Sequence, residues 1–90
     1  MRAPIYARQF EKDVKRLRKR GKNLDKVKIV IRSLAAGEAL DAIHRDHKLL
    51  GSYQGRRECH VEADWLLIYQ IEGDTIIFER SGTHSDLFQR

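Results

Sequence analysis

The apolar residues in the first third of the chain recur at helical intervals. Tyr6, Phe10, Val14 and Leu17 are spaced by four, four and three residues, so they line one face of a helix running from Ala7 to Arg20. The other faces carry Arg8, Glu11, Lys12, Lys15, Arg16, Arg18 and Lys19. Gly21 stands where a left-handed C-terminal cap is wanted. Asn23 suits the N-cap of a second helix, with Asp25 in its first turn. Leu24, Val27, Ile31, Leu34 and Ala35 then repeat at helical spacing, and Gly37 closes that helix. Two amphipathic helices with so short a loop predict a helical hairpin. Residues 38–46 read as a connector, with one helical turn around Leu40 to Ile43.

The second half changes period. Arg57 to Val61 alternates, with Cys59 and Val61 on one face and Glu58, His60 and Glu62 on the other. A turn at Glu62-Ala63-Asp64 leads into Trp65 to Ile71, which is apolar almost throughout and predicts a central strand covered on both faces. Gly73-Asp74 marks a hairpin turn, and Thr75 to Ser81 forms the last clear strand. A short tail, Gly82 to Arg90, contains the apolar pair Leu87-Phe88. Ile5-Tyr6 fit a short first strand with Pro4 at its edge. These elements predict an α+β sandwich: two N-terminal helices on one face of a mainly antiparallel sheet of three to five strands. Because the helices cover one face, the other stays partly wet, and it is the natural place for a site.

Ninety residues suffice for one domain, spanning 1–90, with a thin core. No apolar run reaches the roughly 18 residues of a membrane span. The N-terminus has no apolar signal core, and Cys59 has no partner for an intramolecular disulfide; both fit a cytoplasmic protein. Charge is lopsided. Residues 1–32 hold twelve Lys or Arg against three Asp or Glu, a net +9, while residues 33–90 hold six against ten, a net −4. A solvated lysine-rich helix face would explain part of this, but one sign so dominant favours a polyanion or an acidic protein as partner.

The candidate chemistry lies elsewhere. His44, His47, His60 and His84 all fall outside the basic helices. A hairpin brings His60 towards Asp64 and Trp65, and Arg80 shares parity with His84. Imidazoles, a carboxylate and a guanidinium on a basic protein suit RNA cleavage: a base takes the ribose 2′-OH proton, an acid protonates the leaving 5′-oxygen, and Arg steadies charge on phosphorus. An imidazole, titrating near ~6.5, can act as either base or acid. Asp beside His fixes its tautomer and favours the protonated form. A zinc site from His44, His47, Cys59 and His60 is disfavoured, since neighbours in a strand point to opposite faces. His44 reads as an ordinary surface residue. For His47, His60 and His84, composition alone does not decide between a surface and a site.

Three ordered runs add a resemblance. Asp46-His47-Lys48-Leu49-Leu50-Gly51-Ser52-Tyr53, Arg57 through Tyr69, and Glu79-Arg80-Ser81-Gly82-Thr83-His84-Ser85-Asp86-Leu87-Phe88 resemble the motifs of YafQ-type toxins of the RelE/ParE superfamily. Gln9 to Val14 resembles the start of their first helix, so the likeness spans the chain; Ala63 stands where some relatives have Pro. The resemblance implies a curved antiparallel sheet backed by two helices, as in small microbial ribonucleases. It implies metal-independent cleavage of mRNA in the ribosomal decoding site, without cofactor, leaving 2′,3′-cyclic phosphate and 5′-hydroxyl ends. It also implies a monomeric free toxin that a cognate antitoxin neutralises in a hetero-oligomer. Carried over, His47, His60, Asp64 and His84 form the acid–base group, with His47 as base and His84 as acid, and Arg80 stabilises the transition state. Trp65, Phe88 and Lys48 meet substrate, although plain packing also accounts for Trp65 and Phe88. Lys12, Lys15, Arg16, Lys19, Lys22 and Lys26 present a basic face to ribosomal RNA. The rival readings are a superfamily member that inhibits DNA gyrase, which would lack the histidine set, and a basic RNA-binding module without catalysis.

Overall fold

The computed structural model describes residues 1–88, apart from the Ser52 side chain; Gln89 and Arg90, the end of the expected tail, lie outside it. Strand β1 (Ala3–Tyr6) leads into helix α1 (Arg8–Lys19) and helix α2 (Leu24–Ala35). A 3-10 turn (Ala42–His44), the two-residue strand β2 (His47–Lys48) and a second 3-10 turn (Gly51–Tyr53) follow. Strands β3 (Arg57–Glu62), β4 (Trp65–Glu72) and β5 (Thr75–Gly82) make the meander, and helix α3 (His84–Phe88) ends it.

Both long helices stop as their glycines predict. Gly21 has φ +82° and Gly37 φ +80°. After each helix, one amide reaches five residues back (Lys22 to Leu17, Glu38 to Ser33) and the one before it three (Gly21 to Arg18, Gly37 to Leu34). This is the Schellman closure, which satisfies carbonyls left over at a helix end. At the start of α2 the Asn23 side chain accepts from the Asp25 amide at 3.0 Å.

The sheet order is β1-β5-β4-β3-β2; β1 runs parallel to β5 and the other neighbours are antiparallel. The chain is therefore an α+β fold with two main helices on a five-stranded mixed sheet. The helix-side core joins Phe10, Leu17, Val27, Val30 and Leu34 to Cys59, Val61, Trp65, Leu67, Tyr69, Ile76 and Phe78. On the opposite face Leu66 and Ile68 are also fully buried, under Leu87 and the flanking Leu49, Tyr53 and Phe88. That second cover explains why β4 is apolar on both sides. No helix is long and apolar enough to cross a membrane among the described residues.

Two β-bulges break strict alternation. On β3, His60 pairs with Leu66 and Glu62 with Trp65, so Val61 is the extra residue. On β5, Phe78 pairs with Tyr69 and Arg80 with Ile68, so Glu79 is extra. The first bulge overturns the expectation that Glu62 shares a face with His60. Glu62 turns to the helix side and accepts from Lys22 at 3.1 Å and Lys26 at 2.6 Å.

Candidate active site

The face away from α1 and α2 collects the histidines. Cross-strand pairing sets His47 opposite Glu58, His60 opposite Leu66, and Arg80 opposite Ile68, all on this face. His84 arrives from α3, which Gly82 admits: a Cβ there would stand 2.8 Å from the Asp86 carboxylate. The three imidazoles form a row, with ring centres 6.4 Å apart for His47 and His60 and 6.0 Å for His60 and His84. Phe88 lies 6.3 Å from His84 and meets Tyr53 edge-on at 5.6 Å.

Each ring in the row is oriented by an oxygen at Nδ1. His47 Nδ1 is 2.6 Å from the Arg45 carbonyl, His60 Nδ1 is 3.3 Å from the Ala63 carbonyl, and His84 Nδ1 is 2.7 Å from Asp64 Oδ1. Carbonyls and carboxylates only accept, so Nδ1 carries the proton in all three. Arg45 contributes by adopting a left-handed backbone (φ 49°), uncommon for a residue with a side chain, which turns its carbonyl to His47. Asp64 accepts from both the His84 backbone N–H and the ring. These two hydrogen bonds, the backbone one first, hold its carboxyl below its ordinary value.

His47 Nε2 meets a second carboxylate, Glu58 Oε2, at 3.0 Å. With Nδ1 committed as a donor, one proton must sit between Nε2 and Glu58. If it leaves, two acceptors face each other at that distance. The Glu58 side chain is 7% exposed and its Oε1 has no hydrogen-bond partner among the described residues. Sequence reasoning put Glu58 on the correct face but gave it no role. The signal was its shared parity with His60, two residues on.

Several expected site residues stand elsewhere. Trp65 is fully buried on the helix side, where Nε1 donates to Ser81 Oγ at 3.0 Å and Ser81 Oγ donates to the Leu66 carbonyl at 2.8 Å. It is core and does not line the cleft. Lys48 pairs with Arg57, and strand alternation points it away from His47. The basic face is divided. Arg16 contacts Asp13 at 3.1 Å, and Lys22 and Lys26 hold Glu62, which they keep below its ordinary pKa, Lys26 most strongly. Lys12, Lys15 and Lys19 are exposed. Arg80 is on the expected face, but its Nε donates to Asp13 at 2.8 Å. Asp13, buried on α1, was also missed. It falls on the apolar stripe between Phe10 and Leu17, where an acid needs a partner. His44 donates from Nδ1 to the His60 carbonyl at 2.7 Å and braces β3. Cys59 faces the helix-side core, away from His60, and burial pushes its thiol up to about 12.

A family model described as "Bacterial toxin of type II toxin-antitoxin system, YafQ" matches residues 2–89. The mRNA interferase toxin YafQ of Escherichia coli (strain K12) is 44% identical over 84 residues, covering 92% of this chain and 91% of that protein. Among solved structures, the toxin of the E. coli DinJ-YafQ complex superposes with a TM-score of 0.91 at 43% identity, over 98% of this chain and 99% of that one. A metal-bound toxin from Helicobacter pylori gives 0.91 at 38% identity, over 98% and 100%. Fold and sequence together thus define a toxin of a type II toxin–antitoxin system. Within that class the chain belongs to the YafQ family.

Proposed function

We propose that this protein is a ribosome-dependent mRNA endoribonuclease, cutting by metal-independent acid–base chemistry and held in check by a cognate antitoxin. The row of three imidazoles, each oriented through Nδ1 by an oxygen, with Glu58 at the Nε2 of His47, carries the reading. The His47–Glu58 pair accepts the 2′-OH proton in the state that has lost its own; a hydroxyl donating there relieves the repulsion between two facing acceptors. The 2′-oxygen attacks phosphorus and the bond to the 5′-oxygen breaks. His84, held by Asp64 through Nδ1, donates a proton from Nε2 to that leaving oxygen. His60 stands between base and acid, beneath the phosphate. Arg80 steadies the charge on the nonbridging oxygens. The products are a 2′,3′-cyclic phosphate and a 5′-hydroxyl, and DNA is spared because it lacks the attacking group.

Phe88, half-buried at the end of the row, stacks on a base. Lys12, Lys15 and Lys19 supply the exposed part of the surface for ribosomal RNA. The ribosome is needed because an acid–base group of this kind works only on a 2′-OH already placed in line with the leaving oxygen. A relative is named an mRNA interferase, and another is solved with DinJ bound, which supports both the substrate and an antitoxin partner.

The test is to map 5′ ends on one mRNA, naked and on programmed ribosomes, with this protein and with His84→Ala. New ends inside codons, on ribosomes only and lost in the variant, are expected. No new ends in either sample would contradict the proposal and favour a toxin that does not cut RNA.

A further inference from the structure

We propose that Asp13, buried in α1, is a positioning residue for the reaction: it grips one edge of the Arg80 guanidinium and so aims the other edge at the scissile phosphate. The inference rests on the role given to Arg80 under the proposed function.

Asp13 is 1% exposed, on a helix whose other buried positions are apolar. Its carboxylate accepts from Arg80 Nε at 2.8 Å and Nη2 at 3.3 Å, from the Ser81 backbone N–H at 3.0 Å, from Arg16 Nη2 at 3.1 Å and from Gln9 Nε2 at 3.3 Å. A carboxylate has about four lone-pair sites, so this one is saturated and has no means of rotating away. Its place is set by topology. Strand β1 pairs with β5 only from Thr75 to Phe78, so the edge of β5 is bare beyond that point. The Asp13 carboxylate fills the gap, satisfying the Ser81 amide that a longer β1 would have met.

The same geometry decides what Arg80 can offer. The bulge at Glu79 sets Arg80 on the histidine face, opposite Ile68, yet close enough to the sheet edge to reach Asp13. Of five N–H donors on a guanidinium, two are engaged by Asp13. Asp13 leaves both Nη1 hydrogens and one on Nη2; the Tyr53 hydroxyl also lies within reach of the guanidinium, and the edge turned from Asp13 forms a flat fork that matches two oxygens of a phosphate. A free arginine would sample many rotamers; this one has its position fixed before substrate arrives, and its side chain is still 23% exposed. The hydrogen bond to Asp13 also raises the Arg80 pKa further above its ordinary value.

The experiment measures single-turnover cleavage on programmed ribosomes across a toxin titration, for the parent, Asp13→Asn, Arg80→Ala and the double variant. Asn keeps the volume and one acceptor oxygen but loses the charge and the two-point grip. The expected result is a maximal rate about 10- to 100-fold lower in Asp13→Asn, with half-saturating toxin concentration unchanged. In the Arg80→Ala background the same change should cost nothing further. Parental rate in Asp13→Asn, or an equal loss in both backgrounds, overturns the inference and leaves the role of Arg80 standing. Parental rate in Arg80→Ala removes that role, and the inference with it. A measurement on the unaltered protein guards against a variant that fails to fold. The Arg80 Nε–H should exchange with water far more slowly than those of the exposed Arg8 and Arg18 in nitrogen-15 NMR; equal exchange overturns the grip.

Discussion

Replacing His47 with alanine should cost stability as well as activity, although the residue lies half-exposed on a two-residue edge strand. Its Nε2 is the partner of Glu58 Oε2 at 3.0 Å, and Glu58 is 7% exposed with Oε1 already unpartnered among the described residues. Truncating His47 leaves a buried carboxylate with neither oxygen paired. A buried group stripped of its partner costs roughly 1–3 kcal/mol. The His47 side chain is 48% exposed, so water can enter the space it vacates, and the lower part of that range applies, about 1–2 kcal/mol. For a domain of this size each kcal/mol moves Tm by roughly 4–8 °C, which predicts a fall of about 4–16 °C at pH 7 by circular dichroism. Adding Glu58→Gln to His47→Ala removes the stranded charge and should recover most of the loss. A His47→Ala variant melting with the parent, as an ordinary surface substitution would within about 0.5 kcal/mol, refutes the pairing.

Two other contacts give further outcomes. The Asp64 carboxylate lies below its ordinary pKa because His84 donates to it, and Asp86 lies lower still, chiefly through Arg20. A carboxylate depressed in the folded state stabilises above its unfolded value, near ~3.9, and that stability is lost as pH falls below it. The acid side of the Tm–pH profile, below about pH 4, should therefore be shallower in Asp86→Asn than in the parent; identical profiles would dismiss the Arg20–Asp86 pair. Trp65→Phe deletes a buried hydrogen bond and part of a core side chain, and should destabilise by about 1–3 kcal/mol while leaving the cleavage rate of folded protein intact. Lost cleavage at unchanged Tm would return Trp65 to the cleft.

Periodicity made the larger elements legible. The stripe of Phe10, Val14 and Leu17, the Asn23 cap, the two glycine closures and the all-apolar β4 each have a local cause that the sequence carries. What escaped depends on pairing across distance. Strand β2 has two residues and exists only because β3 offers it an edge. Alternation from Arg57 placed Cys59, Glu58 and His60 correctly and failed at Glu62, since nothing local announces the extra residue at Val61. Counting parity set Arg80 on the proper face but could not show Asp13 reaching it from 67 residues away. Trp65 sits in a motif beside the catalytic candidate Asp64, yet Asp64 stays exposed in the turn after β3 while Trp65 opens β4 and points into the helix-side core. Half of the expected basic face, Arg16, Lys22 and Lys26, turned out to hold acids of this same chain.

The chemistry of the cut ends tests the central claim most directly. RNA cleaved on ribosomes by this protein should be analysed for the group on each side of the break. The account predicts a 2′,3′-cyclic phosphate upstream and a 5′-hydroxyl downstream, the signature of attack by the neighbouring 2′-OH with protons moved by side chains. A 5′-phosphate downstream would contradict it, because water would then be the nucleophile and the row of histidines would need a different role.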